Sequence, residues 1–226
     1  YRAVLEANSD WIIIIPDDDY VPQTYIDELL ITIEKNKNCG LIITAKKNQD
    51  LLYQHTTKIS NGIDALKVAY SHSSAITCLA WNKKNINEKK WLLDGHIYIQ
   101  VRISSEIAIQ NDILYFVPKN MPDILNWDED ILFSDDKDRL FPNPRPDDFG
   151  FFELIDLLDD IKHNTMIKDI SNFYYEAKAS KILWISNVFN EMLNENESNA
   201  KKFFKVLVTH KSIRSCLIFW LIFINQ

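Results

Sequence analysis

Residues 11–16 are a tryptophan, four isoleucines and a proline, and the run stops at three consecutive aspartates, Asp17, Asp18 and Asp19. An unbroken β-branched stretch of that length suits a central strand buried on both faces, as in a parallel sheet. Three like charges at one strand end repel one another, and a divalent cation relieves that repulsion. In an extended chain Asp17 and Asp19 point to one side and Asp18 to the other. The carboxyl end of a parallel strand is also where open α/β sheets hold their ligands. Hard oxygen donors favour Mg²⁺ or Mn²⁺, which usually keep substrate phosphates as further ligands. A simpler reading is that the aspartates only favour the positive end of the following helix. The buried strand before them and the Pro22-led helix after them tip the balance toward a ligand site.

Downstream, Ile26, Leu29, Leu30 and Ile33 recur at helical spacing, which predicts an amphipathic helix over 22–37. Cys39 and Gly40 end it, and residues 41–45 read as the next strand. Ser60 and Asn61 offer capping oxygens for a helix over 62–70. Residues 75–81 read as a strand, 96–109 as a helix and 113–117 as a strand. The alternation predicts an α/β fold with a mixed, mainly parallel sheet flanked by helices. Its character changes after residue 120. Residues 121–147 are rich in Asp, Asn and Pro and read as an acidic loop or lid. Residues 148–226 read as a helical extension, with helices over 151–163, 170–193 and 199–209. The expected organisation is therefore 1–120, 121–147 and 148–226.

Composition narrows the chemistry. A net charge of −7 argues against sequence-independent nucleic-acid binding, which needs a basic surface. Only four glycines are present, too scattered for a glycine-rich phosphate loop. A bound diphosphate must then be met by a metal or by basic side chains. Cys39, Cys78 and Cys216 form no CxxC pair and read as buried free thiols of a reducing compartment. The chain starts at Tyr1 inside what reads as an interior element with no signal peptide, so a missing N-terminal portion is expected. Residues 213–224 are apolar and aromatic but too short to span a bilayer. Lys201, Lys202, Lys205, His210, Lys211 and Arg214 precede them, a pattern that suits peripheral contact with an anionic membrane face as well as a docked C-terminal helix.

The segment from Trp11 through the three aspartates to Tyr20, Val21 and Pro22 resembles the DxD region of family-2 glycosyltransferases of the GT-A fold. Residues 2–10 are similar to that family's helix and turn ahead of the motif strand, and the nearest subgroup is the bacterial O-antigen and capsule type, similar to abequosyltransferases. The resemblance covers residues 1–45 well, extends to about 118 and stops there. It implies a cytoplasmic enzyme, in part at the inner membrane face, that moves a sugar from a nucleotide-diphosphate donor to a glycan or lipid-linked acceptor with inversion. It also implies that Asp17 and Asp18 lie at the donor, that Asp19 holds Mn²⁺ or Mg²⁺, and that the metal neutralises the departing diphosphate.

Inversion needs a general base for the acceptor hydroxyl. Asp94, between Leu93 and Gly95 at the opening of the 96–109 helix, is the best match to the family's downstream carboxylate. Leu93 departs from the family's acidic pair, and Asp94 also reads as a plain N-cap. His96, Ser73, Ser74 and Trp127 are secondary candidates for contacts to base, acceptor or sugar. A glycosidase also uses two carboxylates but needs no metal-bound aspartate triplet. The alternatives of another class are a non-catalytic fragment or degenerate domain acting as an interaction partner, and a membrane-surface binding protein.

Overall fold

The structure, a computed structural model, describes residues 4, 6–16, 19–47, 50–86, 98–123, 151–164, 167, 170–195, 201 and 204–205. The chain divides into two compact units. The first comprises Tyr1–Gly95 with Ile99–Asp135, and the second comprises His96–Tyr98 with Asp136–Gln226.

The first unit is a mixed α/β sandwich. Its elements in chain order are β1 (Trp11–Ile13), α1 (Gln23–Lys35), β2 (Leu41–Thr44), β3 (Thr57–Ile59), α2 (Ile63–His72), β4 (Leu79–Asn82), α3 (Ile99–Gln110) and β5 (Ile113–Phe116). Among the described residues they build one five-stranded sheet in the order β1-β4-β2-β5-β3. Strands β1, β2 and β5 run one way. β4 enters antiparallel between β1 and β2, and β3 is antiparallel at the far edge.

Period-two alternation sorts the side chains onto two faces. Leu41, Ile43, Leu79, Trp81, Ile113 and Tyr115 join residues of α2 and α3 in one core, including Ala65, Val68, Ala69, Ile103 and Ile107. Ile42, Ala80, Leu114 and Phe116 face the other way, against Tyr25, Leu29 and Ile33 of α1. Both β2 and β5 are buried along their full length, which explains their unbroken apolar sequences. Each large side chain so buried stabilises the fold by roughly 1.5–3 kcal/mol before entropy is counted. Two buried side chains inside are well partnered: Trp81 Nε1 donates to Ser104 Oγ at 3.0 Å, and the Asn82 amide donates to the carbonyls of Lys37 and Cys39.

Several expectations are corrected. Residues 11–16 do not form a central strand: only Trp11–Ile13 is strand, it lies at an edge of the sheet order, and Ile15 is 46% exposed. The reason is β4, which takes the place beside β2 and leaves β1 outside it. The expected strand over 75–81 begins instead with a 3₁₀ turn, Ile76–Cys78. Helix α2 is capped by Gly62 at φ 119°, not by a side chain of Ser60 or Asn61. The Asn61 backbone N–H is used elsewhere and donates to Asp112 Oδ1 at 3.1 Å. Strand β3 was not expected at all.

The second unit pairs α4 (Phe151–Asn164) with α5 (Ile170–Glu195). Leu154, Ile155, Leu157, Leu158 and Ile161 are buried on α4, and Ile170, Phe173, Tyr174 and Ile182 on α5. Between them Lys178, with its side chain 5% exposed, donates to Asp159 Oδ1 at 2.9 Å and to the Tyr174 hydroxyl at 2.8 Å. The expected helix over 199–209, apart from Lys201, Phe204 and Lys205, and the expected loop over 121–147, apart from residues 121–123, lie outside the described residues.

Candidate functional site

Strands β1, β2 and β5 are parallel and end together, and antiparallel β4 starts at that same end. Four chain segments therefore converge there: the ones after β1, β2 and β5 and the turn before β4. Backbone hydrogen bonds tie the segments after β1, β2 and β5 into one rim. Tyr20 N–H donates to Asp123 O at 3.1 Å and Asp123 N–H donates back to Tyr20 O at 3.0 Å. Lys47 N–H donates to Pro122 O at 3.2 Å, and Lys47 Nζ pairs with Asp123 Oδ2 at 2.7 Å. The rim is also fixed to the start of α1, because Lys119 N–H donates to Glu28 Oε2 at 3.0 Å and Asn120 Nδ2 to Thr24 Oγ1 at 3.1 Å.

Asp19 sits inside this rim. Its Oδ2 accepts a hydrogen bond from Thr77 Oγ1, in the 3₁₀ turn before β4. Thr77 is fully buried, so the contact orients the carboxylate from below. Among the described residues no cation pairs with Asp19, and its other oxygen accepts no hydrogen bond. Asp17 and Asp18, the two donor-side candidates, lie outside the described residues, as does Asp94, the candidate base, together with His96 and Trp127. Ser73 is placed: it is fully buried, and its hydroxyl has no hydrogen-bond partner among the described residues. Ser74 is used through its carbonyl, which accepts from Gln100 Nε2 at 2.9 Å.

The sequence reading missed the groups around Asp19. Lys46, just past β2, is half-buried. Desolvation pulls its ammonium below the usual lysine range, and the nearby Cys78 and Asp19 charges push back. Cys78, next to Thr77, is pushed up to about 12 by burial, so its thiol stays protonated at neutral pH. His72, the last residue of α2, is held below the ordinary histidine value by burial and then by Lys46, and it packs edge-on against Tyr115 with ring centroids 6.1 Å apart. Beneath them the buried Tyr25 hydroxyl and Thr44 Oγ1 are 3.1 Å apart. The one available signal for Lys46 was its position: it follows a buried strand that ends at the same edge as the aspartates.

A divalent cation is tested by the donor set. Asp19 supplies a hard oxygen, held by a neutral donor and not by a competing ammonium, which fits Mg²⁺ or Mn²⁺. Among the described residues no group of three or more His, Cys, Asp or Glu side chains gathers to hold a metal. Among the described residues, no helix is long and apolar enough to cross a membrane.

No protein-family model matches the chain, and no curated protein is significantly similar to it. Among solved structures it is similar to the crystal structure of S. aureus TarS 1–349, with a TM-score of 0.43 and 12% identity. That likeness covers 99% of this chain and 56% of the TarS chain, so the chain spans little more than half the length of the structure it matches. Neither comparison points to an abequosyltransferase.

Proposed function

We propose that the chain carries part of the donor site of a GT-A-type glycosyltransferase, moving a sugar from a nucleotide diphosphate to a glycan or lipid-linked acceptor with inversion. The observation that carries this reading is Asp19. It lies in the segment after β1, oriented by Thr77 and beside the segments that follow β2 and β5. That is the end of an open α/β sheet where ligands bind, and a carboxylate held there by a neutral hydroxyl, with no ion pair among the described residues, is suited to a metal–diphosphate. Asp19 would hold Mn²⁺ or Mg²⁺ with Asp17 and Asp18 on the donor side, and an ion held there would supply positive charge for the departing diphosphate. Asp94 takes the acceptor hydroxyl's proton as that oxygen attacks the anomeric carbon.

The test is calorimetric titration of the full-length protein with uridine, cytidine, guanosine and deoxythymidine diphosphates, with Mn²⁺ and with a chelator. One of them is expected to bind only with metal, and Asp19→Ala is expected to abolish that metal-dependent component while the protein still melts cooperatively. Metal-independent binding, or Asp19→Ala binding as the unaltered protein does, contradicts the reading. If no nucleotide binds at all, the non-catalytic interaction domain becomes the better account.

A further inference from the structure

Two consecutive lysines follow β2, and the fold treats them differently. Lys47 is 57% exposed and neutralised by Asp123 at 2.7 Å. Lys46 is half-buried, and among the described residues it forms no ion pair or hydrogen bond. Burying an ammonium without a partner is costly. Of the side chains nearby, Asp19 accepts from Thr77 through Oδ2 and forms no ion pair with Lys46, Cys78 stays a neutral thiol, and His72 packs edge-on against Tyr115 with burial holding it below the ordinary histidine value.

The position is set by register. β2 and β4 pair with Ile43 opposite Leu79, so the chain just past β2 runs beside the turn that carries Thr77. Lys46 and Asp19 thus reach the same place from two sides, a cation and a carboxylate that sense each other without pairing. With four glycines in the whole chain, no phosphate loop of backbone N–H groups is available to share the work.

From this juxtaposition we infer that Lys46 binds the diphosphate of the donor directly, beside Asp19. The assignment rests on the donor-site reading above. A lysine acts there as a point charge on phosphate oxygens. It adds no covalent step. Its charge stabilises the diphosphate as bound and as it departs.

The experiment uses the full-length protein, the same four nucleoside diphosphates with Mg²⁺, and the variants Lys46→Met and Lys46→Arg. Losing a charge-assisted hydrogen bond weakens binding by about tenfold or more. Lys46→Met is expected to show that loss and a shallower dependence of affinity on salt. Lys46→Arg, which keeps the charge, is expected to retain most of the affinity. In the absence of nucleotide Lys46→Met should melt no lower than the unaltered protein, because a costly buried charge has been removed. A lower melting temperature for Lys46→Met, or unchanged nucleotide affinity, overturns the assignment and leaves the donor-site reading standing. If the unaltered protein binds none of the four nucleotides, the donor-site reading falls and Lys46 with it.

Discussion

At Gly40 an added Cβ would stand 2.5 Å from Ile107 Cγ2 and 2.6 Å from Asn111 Cβ, nearer than carbon atoms pack. The backbone there cannot retreat, because Gly40 N–H donates to Asp112 O at 2.8 Å and Gly40 O accepts from Asn82 N–H at 3.0 Å. Gly40→Ala should therefore destabilise the fold by overpacking, by about 1–3 kcal/mol, seen as a lower midpoint in urea with an unchanged slope. A midpoint equal to that of the unaltered protein would mean that α3 shifts freely off the strand. From sequence Gly40 reads only as the end of a helix, since a close approach of two elements distant in the chain leaves no local mark. Gly62 differs: nothing crowds it, and its φ of 119° alone favours glycine. Lys46 and Lys47 make the same point at the site. Their order in the chain says that a cation follows β2, but only the fold says that it is Lys47 that pairs with Asp123. The thiols of Cys39 and Cys78 were legible as buried and free, because cysteine inside an apolar stretch behaves as a small hydrophobe.

Elements were legible where their periodicity was strong. Helix α1 was expected over 22–37 and forms at Gln23–Lys35, but its buried stripe is Tyr25, Leu29 and Ile33, while Leu30 is 56% exposed. The stripe was misplaced because both Leu29 and Leu30 fit an apolar face, and Tyr25, whose hydroxyl lies 3.1 Å from Thr44 Oγ1, was not among the residues read as that face. β3 was missed because Thr57–Ile59 is three residues long with one buried side chain, and its antiparallel place beside β5 is a tertiary fact. In the helical pair, the Asp159–Lys178 contact was invisible in a sequence full of acidic and basic residues. It leads to a prediction about how α4 and α5 are held together. Asp159→Ala strands a buried ammonium and should cost about 3 kcal/mol or more, whereas the double change Asp159→Leu with Lys178→Met removes both charges and should cost far less. Denaturant midpoints of the two variants decide it. Equal losses would show that the side chains matter by packing and not by charge.

For the molecule as a whole, the alternation of strands and helices up to residue 117 and the turn to helices after 147 were enough to read an α/β fold with a helical region. They could not reveal that β4 inserts antiparallel, which is what brings Thr77 to Asp19 and makes the strand ends a site. Chemistry at that site has to join parts that no short stretch of sequence contains, so the proposed roles are best separated by kinetics on the complete enzyme. A metal ligand holds the donor in the ground state as well as in the transition state. A general base acts only in the transition state. Asp19→Asn should therefore raise the donor KM and lower kcat together. Asp94→Asn keeps size and much of the capping ability, so folding should survive, and it removes only the proton acceptor. Its kcat should fall by about 10²- to 10⁴-fold while donor KM stays near that of the unaltered enzyme. Steady-state rates against donor concentration at saturating acceptor provide both numbers. A near-normal kcat for Asp94→Asn would end its candidacy as the base and turn attention to Glu106 on α3 and Asp112 at the start of β5. Asp112 is the weaker of these, because it is already engaged by Lys58 at 2.9 Å and by the Asn61 backbone, contacts that hold its carboxyl below the usual range and leave it a poor proton acceptor.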